Sequence, residues 1–297
     1  MKQSIAYKLA VFLVATAGLV SCVPQQKVTD AKKELAVVDS TLTTQKVTLT
    51  NLGEQVKKKQ EQNEMDDTSS ARIKNYIART TSEIDSLRDN HLIRIGEAVV
   101  NKSDWESLLQ TLAFARRSAK SISEKINFLS DLISQNTVVK IDQDVFFGPG
   151  SYSVSPAMAK SIEKIFEPAA LEIDKFTKKY PDFPLSLVIT AKGYADATTI
   201  SEGTNLHKEL TDRLKLSGTD PDNKALNKEL SNARAQQVIE LFKKYASSRA
   251  GSQGYIRNIL YLHEGKGEAL PNPRINDYSM ADPRRRVVYL FWSVFPE

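Results

Sequence analysis

Val28, Leu35, Leu42, Leu49 and Val56 recur every seven residues, and Val38 and Leu52 each fall three places after one of them. That spacing is a partial a/d seam, the signature of an amphipathic helix packed along one stripe. A polar stretch, Lys57 to Ser70, interrupts it; within it Lys57-Lys58-Lys59 reads as a solvated turn. Ile73, Ile77, Ile84 and Leu87 resume the seam. Ser103-Asp104-Trp105-Glu106 has the form of a capping box opening a further helix, with Leu108, Leu109, Leu112, Ile122, Ile126, Leu129 and Ile133 as its buried positions. The pattern fits one long interrupted coiled coil or a folded-back helical hairpin.

The pattern then changes. Val138 to Phe147 mixes β-branched and aromatic residues and predicts a strand, stopped by Gly148-Pro149-Gly150. Ser155-Pro156 is an N-cap followed by proline at the first helical position, ahead of a helical face of Met158, Ile162, Ile165, Phe166, Ala169, Ile173 and Phe176. Leu185 to Ala191 predicts a second strand. Leu226, Leu230, Ala233, Val238, Leu241 and Tyr245 mark a long helix; Ile256 to His263 and Arg286 to Trp292 predict two more strands. The order β-α-β-α-β-β implies an α+β domain, a mixed sheet with helices on one face. Breaker residues place the boundary: residues 23–137 hold two Gly and one Pro, residues 138–297 nine Gly and ten Pro. The expected organisation is therefore 22–137 all-helical and 138–297 α+β, after a leader of 1–21.

Charge and reactive residues narrow the function. The net charge of +5 shrinks once the leader is set aside: from Val23 onward 39 Lys+Arg face 36 Asp+Glu, spread evenly. Nucleic acid is therefore not an expected partner, since its binding needs a concentrated basic field. The single cysteine leaves no intrachain disulfide. His91, His207 and His263 stand far apart, so no metal site and no cofactor are expected. HExxH, GxSxG and GxGxxG are absent. Ser161-Ile162-Glu163-Lys164 spells SxxK but lacks the partner motifs of that chemistry and reads as a solvent-facing helix surface. The chain is not expected to be an enzyme.

Lys2 and Lys8 precede an uncharged run, Leu9 to Val20, too short for the ~20 residues that span a bilayer. It ends Leu19-Val20-Ser21-Cys22, which resembles the bacterial lipobox. The resemblance implies cleavage before Cys22 and lipidation of its thiol and amine. Two or more acyl chains, at ~0.8 kcal/mol per buried CH₂, hold a protein stably on a membrane. Val23-Pro24-Gln25-Gln26 carries no acidic cluster, so the body is expected to face the periplasm from the outer membrane.

Four motifs in the second half stand in a telling order: Gly193-Tyr194-Ala195-Asp196 at the end of a strand, Asn227-Lys228-Glu229-Leu230-Ser231-Asn232-Ala233-Arg234-Ala235 on a helix, Gly265-Lys266-Gly267 in a turn, and Arg285-Arg286-Val287 entering the last strand. Together they resemble the OmpA-like peptidoglycan-binding domain, over residues 138–297. With the lipobox, the chain is similar to peptidoglycan-associated lipoproteins, elaborated by the long helical region. The resemblance implies a pocket for the free end of diaminopimelate in the wall's stem peptide, where one carbon bears an ammonium and a carboxylate. It gives Asp196 the ammonium and Arg234 the carboxylate, with Tyr194, Asn227 and Leu230 lining or bracing the pocket. A plainer alternative has Asp196 capping its turn and ion-pairing with Arg234. Arg284, Arg285 and Arg286 are expected to pack and pair rather than touch ligand.

One departure from the family stands out. Asp196 and Asn227 are 31 positions apart, where the family has a short loop. The polar insert, about Thr198 to Pro221, is expected to form a flap or short helix beside the pocket; its Thr219-Asp220 offers Asp220 as a rival to Asp196. The primary expectation is a lipid-anchored tether between outer membrane and peptidoglycan. The alternative is an envelope scaffold, oligomerising through its N-terminal helices, whose pocket the insert occludes.

Overall fold

The computed structural model describes residues 23–135, 137–142, 146–148, 150–215, 220–249 and 256–296. Cys22, the apolar run before it and Thr219 lie outside these. Three helices come first, α1 (Gln25–Glu61), α2 (Asp67–Gly96) and α3 (Lys102–Ser134). They are followed by β1 (Val138–Asp142), α4 (Pro156–Lys179), β2 (Leu185–Gly193), α5 (Asn205–Leu214), α6 (Asn223–Ser248), β3 (Ile256–Gly265), a 3₁₀ turn (Pro283–Arg285) and β4 (Val287–Pro296). An all-helical region thus precedes an α+β region. The chain forms two compact units: the described residues through Gly53 with Asn75–Ser130, and Glu54–Lys74 with Asp131–Glu297.

In the first unit the helices fold back on one another. Asp39 of α1 pairs with Arg88 of α2, and Lys46 with Asp85 (2.6 Å), so these helices run antiparallel. Glu34 meets Arg116 of α3 and Gln45 donates to the Ala119 carbonyl (2.9 Å), so α1 and α3 run the same way. The stripe read from the heptads is the buried one: Leu35, Leu42, Leu49, Ile84 and Ile122 are fully enclosed. Leu109 departs from it and is 41% exposed. Leu108 takes the inward position and repeats at Leu112, Ala115, Ala119 and Ile122, which turns its immediate neighbour outward. The cap of α3 also lies two residues earlier than the Ser103 box. Asn101 Oδ1 accepts from Asp104 N (3.0 Å) while the Asp104 carboxylate accepts from Asn101 N (3.2 Å), the same reciprocal device with different residues.

The second unit centres on a four-stranded sheet in the order β1-β4-β2-β3, with β2 and β3 parallel and β4 antiparallel to both β1 and β2. The strand expected over 138–147 is β1, five residues long; Phe146 and Phe147 are buried beyond its end. Ser155 caps α4 as expected, accepting from Met158 N (3.3 Å), but Met158 itself is exposed. On one face α6 lies directly on β2 and β3. A Cβ on Gly193 would stand 2.0 Å from the Ser231 carbonyl oxygen and one on Gly265 2.4 Å from that of Lys228, so both strand ends require glycine. On the other face, Glu54–Lys74 supplies the cover. Lys192 pairs with Asp67 (2.7 Å) and holds its carboxyl below the usual range; the Thr190 hydroxyl donates to Asp66, and Arg72 stacks on Phe295. Lys57-Lys58-Lys59 is no turn: it closes α1, where cations offset the negative end of the helix. Lys59 donates to the Gln135 carbonyl (2.7 Å), and burial pushes its ammonium pKa down.

Candidate functional site

The close approach of α6 to the two glycine strand ends determines what faces outward there. Asn227, Leu230 and Arg234 follow one another at helical spacing and lie on one side of α6. Asp196 arrives from the end of β2. Its segment is clipped in place by backbone bonds: Tyr194 N donates to Val287 O, Ala195 N to Gly267 O (2.8 Å) and Lys266 N to Gly193 O (2.8 Å). The left-handed Gly267 (φ 57°) then donates its N–H to Ser231 Oγ (2.9 Å), joining turn, strand and helix. These bonds fix the four motifs that stood apart in the sequence around one end of the sheet.

That end opens into a cavity of about 730 Å³. Its charged lining among the described residues is Asp196, Arg234 and Arg286; Asn227 and Leu230 line it from α6, and Phe147, Gly148 and Gly150 from the β1–α4 connection. Asp196 is 7% exposed, with both carboxylate oxygens engaged: Oδ1 accepts from Thr198 N (3.2 Å) and Oδ2 from Arg286 Nη1 (2.8 Å). Arg234 is 6% exposed; its Nε donates to the Ser151 carbonyl (3.0 Å) and its guanidinium lies 5.4 Å from the Phe147 ring centre. A guanidinium placed between a carbonyl and an aromatic face keeps a defined plane. The Asn227 amide donates to Thr198 O (3.1 Å) and to Glu268 Oε1 (2.9 Å), tying the insert and the Gly-Lys-Gly turn to α6.

Tyr194 sits elsewhere. It is buried beneath the site, its ring 5.7 Å edge-on from Tyr289, and burial drives its hydroxyl pKa up. It braces the strand end and is not among the lining residues. Asp220 is exposed and likewise does not line the cavity. The three consecutive arginines divide. Arg284 pairs with Asp282, holding its carboxyl down to about 2, and with Asp277. Arg285 donates to the carbonyls of Glu268, Ser279 and Met280. Arg286 ion-pairs, as expected of the three, but it does so on the cavity wall as the partner of Asp196, the place the plainer sequence alternative gave to Arg234. Its position in the Arg-Arg-Val motif was the available signal, but nothing local distinguishes it from its two neighbours.

The insert is partly helical. Thr204 caps α5, whose Leu210 packs against Leu226 and Leu230 with Tyr152, Ile200, Leu206 and Leu214 around them. Thr198, Thr199, Ile200, Ser201, Thr204, Asn205 and Leu206 form a wall of the cavity without filling it. Of the remaining candidates, Ser161 is exposed on α4 and His263 contacts Asn232 (3.1 Å) at the outer end of β3. Among the described residues no group of three or more His, Cys, Asp or Glu converges as metal ligands, and no helix is long and apolar enough to cross a membrane. Comparison with family models and with curated proteins finds no match to this chain.

Proposed function

We propose that this chain is an OmpA-like, lipid-anchored tether that grips peptidoglycan non-covalently through the cavity at the end of β2. The observation that carries the reading is the placement of Asp196 and Arg234, from a strand end and a helix, on the wall of one open cavity. A carboxylate beside a fork-shaped cation is the complement of a carbon bearing ammonium and carboxylate. Two bonds leave acceptor capacity on the Asp196 carboxylate for an ammonium. Two guanidinium groups beside one carboxylate give the site a net positive charge, which favours a ligand that brings a carboxylate into it. Both side chains are held by partners in the protein, so the site is preorganised rather than assembled by ligand. No bond is broken in this account.

The lipobox-like Leu19-Val20-Ser21-Cys22 supplies the other end of the tether, an acylated Cys22 in the outer membrane with the body in the periplasm. Each grip can be weak, because many identical stem peptides and many anchored copies give avidity. The scaffold alternative required the insert to close the cleft; the open cavity beside Thr198–Leu206 favours the tether. Purified sacculi test it: the chain from residue 23 onward is expected to sediment with them, and failure of the folded chain to do so would refute the grip. Radiolabelled palmitate incorporation, lost in Cys22→Ala, tests the anchor.

A further inference from the structure

The cavity is larger than a zwitterionic head requires. At about 730 Å³ it falls within the range that encloses ligands of roughly drug size, ~300–1,000 Å³. Its charged residues and its insert wall are chemically distinct: Thr198, Thr199, Ser201 and Asn205 add no charge. The insert's backbone is anchored. Ile200 N donates to Asn223 Oδ1 (2.8 Å), the Asn223 and Asn227 amides donate to Thr198 O, and the Thr204 hydroxyl donates to Ser201 O (2.8 Å) while capping α5. Ile200 and Leu206 pack into the cluster around Leu210. The side-chain hydroxyls of Thr198, Thr199 and Ser201 and the Asn205 amide take no part in this anchoring. These four residues are exposed and line the cavity, on a segment anchored behind them.

From this juxtaposition we infer that the insert wall is a second subsite, which hydrogen-bonds the uncharged peptide groups adjoining the zwitterion in the stem peptide. The inference rests on the proposed function and deepens it. Peptide groups present alternating donors and acceptors, and hydroxyl and carboxamide side chains match both. A sugar ring would call for an exposed aromatic platform. The one aromatic residue among the described lining residues, Phe147, is buried and carries the Arg234 guanidinium on its face. The wall therefore suits peptide rather than glycan.

The test compares three ligands on two proteins, each the chain from residue 23 onward: free diaminopimelate, a diaminopimelate-containing stem tetrapeptide and the same tetrapeptide carrying its disaccharide, titrated into wild type and into the combined variant Thr199→Val, Ser201→Ala, Asn205→Ala. Thr204 is left intact to keep the α5 cap, and circular dichroism confirms folding. The tetrapeptide is expected to bind wild type about tenfold more tightly than diaminopimelate, the worth of two or so modest hydrogen bonds. The variant should lose that advantage and keep its affinity for diaminopimelate. An advantage that persists in the variant, or is absent from wild type while diaminopimelate binds, overturns the subsite and leaves the zwitterion grip standing. Binding of none of the three to wild type overturns both. A variant that loses affinity only for a disaccharide-bearing ligand assigns the wall to glycan, contrary to the inference.

Discussion

The polar groups buried around the cavity of the sheet unit and a histidine buried in the helical unit are treated differently. In the sheet unit, Asp196, Asn227, Ser231 and Arg234 are all less than a tenth exposed, and each is bonded to a neighbouring loop or strand. In the helical unit, His91 is 1% exposed and neither ring nitrogen has a partner. The first arrangement uses polar burial to hold a cavity open with its side chains aimed. The second places a titratable group in an apolar stripe, where a proton is costly. Burial of a polar residue therefore marks a site only where the bonds around it converge on a shared space.

The sharpest way to break this comparison is at the contact that positions the site. Gly193→Ala drives a Cβ into the Ser231 carbonyl and should cost about 3 kcal/mol or more in denaturant unfolding, as helix α6 is forced off the sheet. In the helical unit, Leu42→Ala should cost ~2–5 kcal/mol, whereas Leu109→Ala, off the buried stripe, should stay within ~0.5 kcal/mol. Equal effects of the two leucine changes would contradict the packing face described for α3.

His91 offers a subtler probe. Burial lowers its pKa, against a smaller opposing pull from Asp39. The unfolded chain, titrating near the ordinary ~6.5, therefore binds more protons than the folded one between the two values. Stability should be full above that ordinary value and fall as pH drops toward the depressed one. Urea unfolding between pH 7.5 and 5 should show this slope, and His91→Leu should flatten it. A small expected effect has the opposite sign to the first. Gly53, inside α1 with no atom within 4 Å of an added Cβ, should gain ~0.5–1 kcal/mol as alanine.

Much of this architecture is visible in the chain before folding, for reasons that also explain the failures. Helical period exposes Leu35, Leu42 and Leu49, because only one stripe recurs every seven residues. It cannot choose between adjacent leucines, so it marks Leu108 and Leu109 alike as buried although only Leu108 is. Asn101-Lys102-Ser103-Asp104 and Ser103-Asp104-Trp105-Glu106 both have capping-box form, and backbone geometry selects the first. The motif residues Asp196, Asn227, Leu230 and Arg234 meet at one cavity, but the partner of Asp196 lies 90 residues away among three consecutive arginines. Local pattern carries no information about which of them turns inward. Nor does it reveal that Glu54–Lys74, read as an interrupted helical seam, packs within the sheet unit through Asp67 and Lys192.

The central claim is that Asp196 and Arg234 jointly hold a zwitterion. Calorimetric titration of the chain from residue 23 onward with a diaminopimelate-containing muropeptide tests it most directly, beside Asp196→Asn and Arg234→Lys. Each substitution keeps much of the side chain's shape while removing the charge or the fork, and losing one charge-assisted pair costs ~1.5–3 kcal/mol, more than tenfold in affinity. Wild type should bind saturably, and each folded variant should show at least that loss. Saturable binding that both variants retain would contradict the claim.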